Sequence, residues 1–190
     1  MTQLFQRLLW AKQNIPSVQS SKVVVFEDPA FTKEPCKILS AAPEWMACAM
    51  HGNILPPVEA YHEMEYLIED NFGNEYAGVT QLEFEDMLFD FAKAGKAMKS
   101  QRVTKHKLHD DVMPAMSEDE AIQYLIKKDT PHRVWGQHGN YQNFRVVDRS
   151  VMPTDRKNRN YWKLQQDGDA IKAILPTPME ETLALWGIEA

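Results

Sequence analysis

The sequence has few of the residues on which several large classes of protein depend. Only two of its 190 residues are cysteines, Cys36 and Cys48, so we expect no disulfide framework and a reducing compartment. No stretch approaches the roughly 18 uninterrupted apolar residues that a membrane-spanning helix needs, and the N-terminal apolar run is too short for a signal peptide. We therefore expect a protein that is neither secreted nor inserted into a membrane.

Recognisable catalytic motifs are also lacking. The chain contains no Gly-x-Ser-x-Gly nucleophile elbow, no His-Glu-x-x-His zinc motif, no phosphate-binding glycine-rich loop and no dinucleotide fingerprint. With only eight glycines, few positions allow the backbone to approach a phosphate closely. The sequence therefore predicts a protein without catalytic residues and without a cofactor.

The chain does contain enough apolar residues for a core, together with an uneven distribution of charge. Hydrophobic residues make up 44% of it, which excludes global disorder. Residues 1–92 carry 5 Lys and Arg against 14 Asp and Glu, whereas residues 93–190 carry 16 against 13. Such an asymmetry is typical of ordinary solvated faces, and the alternative is a dipolar surface that docks a partner.

The pattern of apolar residues predicts an α+β fold made of a helix-rich N-terminal lobe and a small C-terminal module. We expect the lobe to comprise residues 1–100 and to contain one short strand, Lys22–Phe26, which is rich in valine. The helices expected in this lobe cover residues 2–13, 44–51, 58–70 and 80–99. The last is the longest, and Thr80 and Glu83 have the spacing of a capping box.

Residues 101–116 are polar, and we expect them to link the lobe to an α+β module at residues 117–190. Ser117 and Glu120 predict another capping box at the start of a helix. The remaining elements expected in the module are a strand at 144–148, a short helix at 154–163, a strand at 170–175 and a helix from 177. A chain of this length suits one domain or two lobes sharing a core, so independent folding of residues 1–100 stays open.

Three residues are candidate metal ligands. Cys48 and His51 lie three positions apart on an expected helix, and Cys36 is near them in sequence. Structural zinc sites usually pair two such motifs, and here the second is missing. Cysteine is also among the most frequently buried residue types. The prediction is therefore no metal site, although binding of a metal at these three residues stays open.

The segment 141–163 is unusually rich in basic and aromatic residues. Its basic residues are Arg145, Arg149, Arg156, Lys157, Arg159 and Lys163, and the aromatic residues among them are Phe144, Tyr161 and Trp162. This composition suits a binder of single-stranded nucleic acid, and it equally suits a protein interface, where Arg, Tyr and Trp are enriched. A third interpretation is structural, with Trp162 filling a small core and Asp148 and Asp155 pairing with arginines. The acidic balance of the chain makes nucleic acid the weakest of the three.

Three pieces of residues 117–164 carry a resemblance to a known family. They are an acidic helix, SEDEAIQYLIKKDTP, a strand, FRVVD, and the segment MPTDRKNRNYWK. In the last, the pattern Pro-x-Asp-Arg-x-x-Arg-x-x-Trp falls on Pro153, Asp155, Arg156, Arg159 and Trp162. This quarter of the chain resembles a module of small uncharacterised proteins of tailed bacteriophages, encoded among virion genes and often close to tail genes.

The resemblance implies a non-enzymatic structural or assembly protein in the tail region of the virion. Its partners would be other phage proteins, contacted in repeated copies of a symmetric assembly, and it would reside in the virion or the host cytoplasm. The alternatives are an intracellular phage effector that binds and inhibits a host protein, and a nucleic-acid-binding accessory protein. The candidate partner-binding residues are Arg145, Arg149, Arg156, Arg159, Tyr161 and Trp162.

Overall fold

The structure is a computed structural model that describes residues 3–62, 65–70, 72–80, 87, 90, 94, 98–102, 111–138 and 141–187. In these residues, helices combine with small antiparallel sheets, which confirms the predicted α+β class. The helices are α1 (Gln3–Asn14), α2 (Pro43–His51), α3 (Glu59–His62), α4 (Glu118–Asp129) and α5 (Pro178–Leu185). Short 3-10 helices cover His132–Val134, Arg149–Val151 and Arg159–Tyr161.

The strands of the described residues are β1 (Lys22–Phe26), β2 (Lys37–Leu39), β3 (Glu65–Asp70), β4 (Glu75–Thr80), β5 (Met98–Arg102), β6 (Gln137–His138), β7 (Tyr141–Gln142), β8 (Phe144–Asp148), β9 (Trp162–Leu164) and β10 (Ile171–Ala173). They form antiparallel sheets in the orders β2-β1-β8, β4-β3-β5, β9-β10 and β6-β7.

Strand β1 lies at the centre of the sheet around which both hydrophobic cores form. Val24 is opposite Leu39 of β2 and Val146 of β8, while the next residue, Val25, is opposite Ile38. Successive side chains of a strand point to opposite faces, so Val24 and Val25 enter different cores. Both are fully buried, which explains why the strand is a continuous run of valines instead of an alternating one.

The larger core fills one face of this sheet with residues of α1, α2 and α4. Its members include Ala11, Met46, Ile122 and Ile126, packed with Val24 of β1. Helix α4 begins with the predicted capping box, in which Ser117 and Glu120 bond to each other's backbone N–H.

The first turn of α4 is also fixed to the start of β1. The Glu118 carboxylate accepts hydrogen bonds from the Ser20 hydroxyl at 2.8 Å and from the Ser21 N–H at 2.7 Å. These bonds, that of Ser20 foremost, hold the pKa of Glu118 below its ordinary value.

The smaller core lies on the opposite face of the sheet, under the hairpin of β9 and β10. Trp162, Leu164 and Ile171 of the hairpin pack there with Val25 and Cys36. The N–H of Cys36 donates to the Trp162 carbonyl at 2.8 Å, which connects the hairpin to the segment before β2. The arrangement is therefore a layer of helices, a central sheet and a covering hairpin.

The predicted lobe and module share both a sheet and a core. Strand β1 pairs with β8 along its whole length, from Lys22 opposite Asp148 to Phe26 opposite Phe144. Helices α2 and α4 likewise meet in the larger core. The division at residues 101–116 therefore does not separate two packing units in the described part of the chain. The sequence did not indicate this, because strands that pair across more than 100 residues leave no local signal.

The described part of the predicted linker, residues 111–116, packs against the N-terminal half. The Met113 N–H donates to the Leu55 carbonyl at 2.8 Å, and Met116 is buried in the larger core. At Gly52, where φ is +76°, an added Cβ would lie 2.3 Å from the backbone nitrogen of Ala115. A linker was predicted here because the segment is polar, and its polar residues are concentrated at 103–110, which lie outside the described residues.

Two helices predicted in the N-terminal half need correction. The helix expected at 58–70 is limited to α3, and Glu65–Asp70 is a strand between β4 and β5. The apolar run Tyr66–Leu67–Ile68 is compatible with a helix or with a strand, and pairing with two neighbouring strands makes it a strand. The helix expected at 80–99 ends earlier than predicted, because Met98 belongs to β5, although Met87 and Asp90 within it are helical. Strand β4 ends at Thr80, the predicted cap of this helix. Most residues between these strands lie outside the described residues.

In the C-terminal half, one predicted element is wrong and the others are found. The helix expected at 154–163 is instead a turn, the 3-10 helix Arg159–Tyr161 and strand β9. Strand β9 pairs with β10 and buries both Trp162 and Leu164, an alternation that a helix would not provide. Strand β8, strand β10 and helix α5 all lie within the positions predicted for them.

Among the described helices, none combines the length and the hydrophobicity that crossing a bilayer requires.

Candidate partner-binding surface

The basic, aromatic segment 141–163 runs from strand β7 to strand β9, and its aspartates shape the turns between them. The Asp148 carboxylate accepts from the Ser150 hydroxyl at 2.5 Å and from the Ser150 N–H at 2.8 Å, so the pKa of Asp148 is lowered. Asp155 accepts from the Lys157 N–H at 2.8 Å. Both are local bonds that stabilise turns.

Three side chains of the segment have internal contacts. Arg145 donates to the carbonyls of Gln165 at 2.9 Å and Gly168 at 3.1 Å, which fastens the loop between β9 and β10 to the central sheet. Lys163 donates to the carbonyls of two residues before β2, at 2.7 and 2.6 Å. Trp162 is only 3% exposed. Two of the six candidate residues are therefore internal: Trp162 belongs to the smaller core, and Arg145 is bonded to the loop between β9 and β10.

The other four candidates lie at the surface. Arg149, Arg156 and Arg159 are exposed, and Tyr161 is 40% exposed beside the buried Trp162. The backbone of Arg149 is held by a bond from its N–H to the Ser21 carbonyl at 2.7 Å. The pattern of residues 153–162 thus divides into a buried tryptophan that anchors the hairpin and two arginines that face solvent.

An exposed apolar surface next to Tyr161 was missed by the sequence analysis. The N–H of Ile174 donates to the Tyr161 carbonyl at 2.9 Å, which places the end of β10 beside the 3-10 helix Arg159–Tyr161. Five large apolar side chains from here to the C-terminal end of α5 are between 55% and 85% exposed: Ile174, Leu175, Met179, Leu185 and Trp186.

Two of these residues, Ile174 and Leu175, line an open groove of about 780 Å³, which we call the C-terminal groove. Its walls are the segment before β2, the start of β9, the end of β10 and helix α5. The lining residues are Thr32, Lys33, Asn160, Tyr161, Lys163, Ile174, Leu175, Pro176, Glu180, Ala184 and Gly187. An apolar floor with cations on one side is the arrangement that interfaces use, with a polar rim around an apolar centre.

A second exposed apolar area lies on helix α1. Leu8, Leu9 and Trp10 are between 37% and 49% exposed, and the Trp10 ring contacts the edge of the His51 ring at 5.7 Å between centroids. A groove of about 680 Å³ separates α1 from Trp45 and neighbouring residues of α2. Among the described residues, α1 therefore presents exposed apolar side chains in addition to those at the C-terminal groove.

The candidate metal ligands are not brought together. Cys36 lies in the smaller core and Cys48 in the larger one, on opposite faces of the central sheet. Burial raises the pKa of the Cys36 thiol to about 11 and also raises that of Cys48, so both stay protonated at neutral pH. His51 bonds through Nδ1 to the Gly52 carbonyl at 3.0 Å. In the described residues, no group of three or more His, Cys, Asp or Glu side chains has the geometry of a metal site.

Comparison with protein families, with curated proteins and with solved structures finds no match to this chain.

Proposed function

We propose that this chain is a non-enzymatic bacteriophage protein that acts through protein–protein contacts, as a structural or assembly component of the tail region of the virion. The observation that carries the contact function is the exposed apolar surface at the C-terminal groove. Soluble monomers rarely expose contiguous apolar patches of large side chains, and such patches mark interaction sites. The assignment to a phage tail rests on the resemblance of residues 117–164 to phage proteins.

The chemistry beside the groove also favours a protein partner. Arg156, Arg159 and Tyr161 are exposed there, and Arg and Tyr are among the residues that dominate binding energy at interfaces. A binder of single-stranded nucleic acid would need several exposed rings on which bases stack. Of the three aromatic residues that suggested this alternative, Trp162 is buried, Phe144 is half-buried and Tyr161 is exposed.

The apolar area on α1 suits a contact with a second neighbour. A protein with two separate interaction surfaces can contact two neighbouring proteins at once, as components of symmetric assemblies do. In this proposal, Leu8, Leu9 and Trp10 contact one neighbour, and the C-terminal groove with its adjacent arginines contacts another. Neither contact requires a catalytic residue or a cofactor.

Replacing Arg156 and Arg159 together by alanine tests the role of the surface. We expect partner binding or incorporation into particles to weaken about thirtyfold, the equivalent of about 2 kcal/mol at an interface hot spot. Because both side chains are exposed, the free energy of unfolding is expected to change by less than about 1 kcal/mol. Incorporation is measured by quantitative mass spectrometry of particles, and stability by urea denaturation.

Arg145→Ala is the matched control, because this arginine has internal hydrogen bonds to the loop between β9 and β10. It should lower stability while leaving the surface cations in place. If the double variant instead loses stability and keeps full incorporation, Arg156 and Arg159 are structural residues and the proposed surface is wrong.

A further inference from the structure

Helix α5 is too short and too exposed to be stable on its own contacts. It has eight residues, whereas isolated helices shorter than about 12 residues are marginal in water. Its start is well defined, because Thr177 and Glu180 bond to each other's backbone N–H at 3.3 and 2.6 Å. Along the helix, however, Met179 and Leu185 are exposed and Leu183 is only half-buried. A helix of this kind is typical of a segment that another chain covers.

The charges of α5 are complementary to those beside the C-terminal groove. Residues 175–187 contain Glu180 and Glu181 and no Lys or Arg. Helix α5 forms one wall of the groove and contributes Glu180 to it, whereas Lys33 and Lys163 line other walls. The turn that leads into the groove carries Arg156, Lys157 and Arg159 together with Asp155, and a bond from the Arg159 N–H to the Arg156 carbonyl at 3.1 Å closes it. One surface therefore carries an acidic wall and a basic wall on either side of the groove.

We propose that the C-terminal groove binds helix α5 of a second copy of this chain, so that two copies pair around a two-fold axis. In such a pair each copy supplies one helix and one groove, and every contact occurs twice. Trp186 and Leu185 of one copy pack on Tyr161, Ile174 and Leu175 of the other. Glu181 of α5 then faces the arginines across the rim, where opposite charges set the orientation of the two copies.

The area involved sets the expected affinity. Covering the five exposed apolar side chains in both copies buries on the order of 1,000 Å², at the lower end of specific protein interfaces. We therefore expect a dissociation constant in the micromolar range, about 1–50 µM, with reversible exchange between monomer and dimer. The inference rests on the proposed protein–protein function of the same surface and names its partner.

Sedimentation of the purified full chain at about 1–200 µM tests the pairing. We expect the apparent mass to rise from monomer to dimer, and the variant Leu185→Glu with Trp186→Glu to weaken dimerisation at least tenfold. Val151→Glu is the control, since Val151 is also an exposed apolar residue, at 57%, and lies on the 3-10 helix Arg149–Val151, outside α5. It should leave the dissociation constant unchanged. Both variants lie outside the two cores, and circular dichroism checks that they fold.

Charge reversal makes the test specific for the helix and groove. Glu181→Lys, which leaves the cap of α5 intact, should weaken dimerisation about tenfold, as should Arg156→Glu with Arg159→Glu, and combining all three changes should restore it at least in part. A chain that stays monomeric at 200 µM overturns the inference, and so does a dimer that ignores these changes. If a monomeric chain nevertheless needs Leu185 and Trp186 for incorporation into particles, the groove binds a different protein; the pairing is then wrong and the proposed function stands.

Discussion

Replacing Asp28 by alanine is expected to lower the free energy of unfolding by about 3–5 kcal/mol. The carboxylate accepts from Nε of Arg133 at 2.6 Å and from Nη2 at 2.7 Å, and the two side chains are only 6% and 9% exposed. Removing the carboxylate takes two short charge-assisted bonds from the buried Arg133 guanidinium, which costs more than the pair itself contributes. The Ala30 N–H, which also donates to Asp28, loses its acceptor.

The exposed ion pair between Glu34 and Lys37 is the matched control for this experiment. Its side chains are 49% and 47% exposed, so Glu34→Ala should cost at most about 1 kcal/mol. Urea denaturation of both variants measures the difference. Equal losses for Asp28→Ala and Glu34→Ala would show that burial of the Asp28–Arg133 pair has no special energetic role.

The second large effect is expected at Trp162. Replacing it by alanine removes the largest side chain of the smaller core, and the cavity left among Val25, Leu164 and Ile171 should cost about 3–5 kcal/mol. The adjacent Tyr161 is 40% exposed, so Tyr161→Ala should cost about 1 kcal/mol or less while weakening partner binding. The two neighbouring aromatic residues thus separate stability from binding.

Thermal and urea denaturation, together with a binding or incorporation assay, measure this contrast. Trp162→Ala is expected mainly to lower stability, and Tyr161→Ala mainly to lower binding. A Tyr161→Ala variant that unfolds as readily as Trp162→Ala would place both rings in the core and remove Tyr161 from the proposed surface.

Elements with strong local signals were predictable from the sequence. The valine run of β1, the capping boxes at Ser117 and Thr177, and the strand at residues 144–148 all have cues within a few residues. The hairpin of β9 and β10 lacked such a cue on its first strand. There, a basic sequence resembled a helix, and pairing with β10 determined the conformation.

The candidate surface was only partly predictable because exposure depends on what packs above a residue. Composition drew attention to Arg156, Arg159 and Tyr161, which the structure places at the surface, but equally to Arg145 and Trp162, which have internal contacts. Local sequence does not show that strand β1 lies against β8, and that pairing determines which face of the segment is covered. The exposed residues of α5 escaped notice because apolar residues ordinarily predict burial.

The most direct test of the central proposal is the copy number of this protein in purified particles of the phage proposed to encode it, measured by quantitative mass spectrometry. A structural or assembly component of the tail predicts several copies per particle, in a fixed ratio to the known tail proteins. Absence from particles, together with co-purification of a single host protein from infected cells, would contradict the proposal and identify an intracellular effector instead.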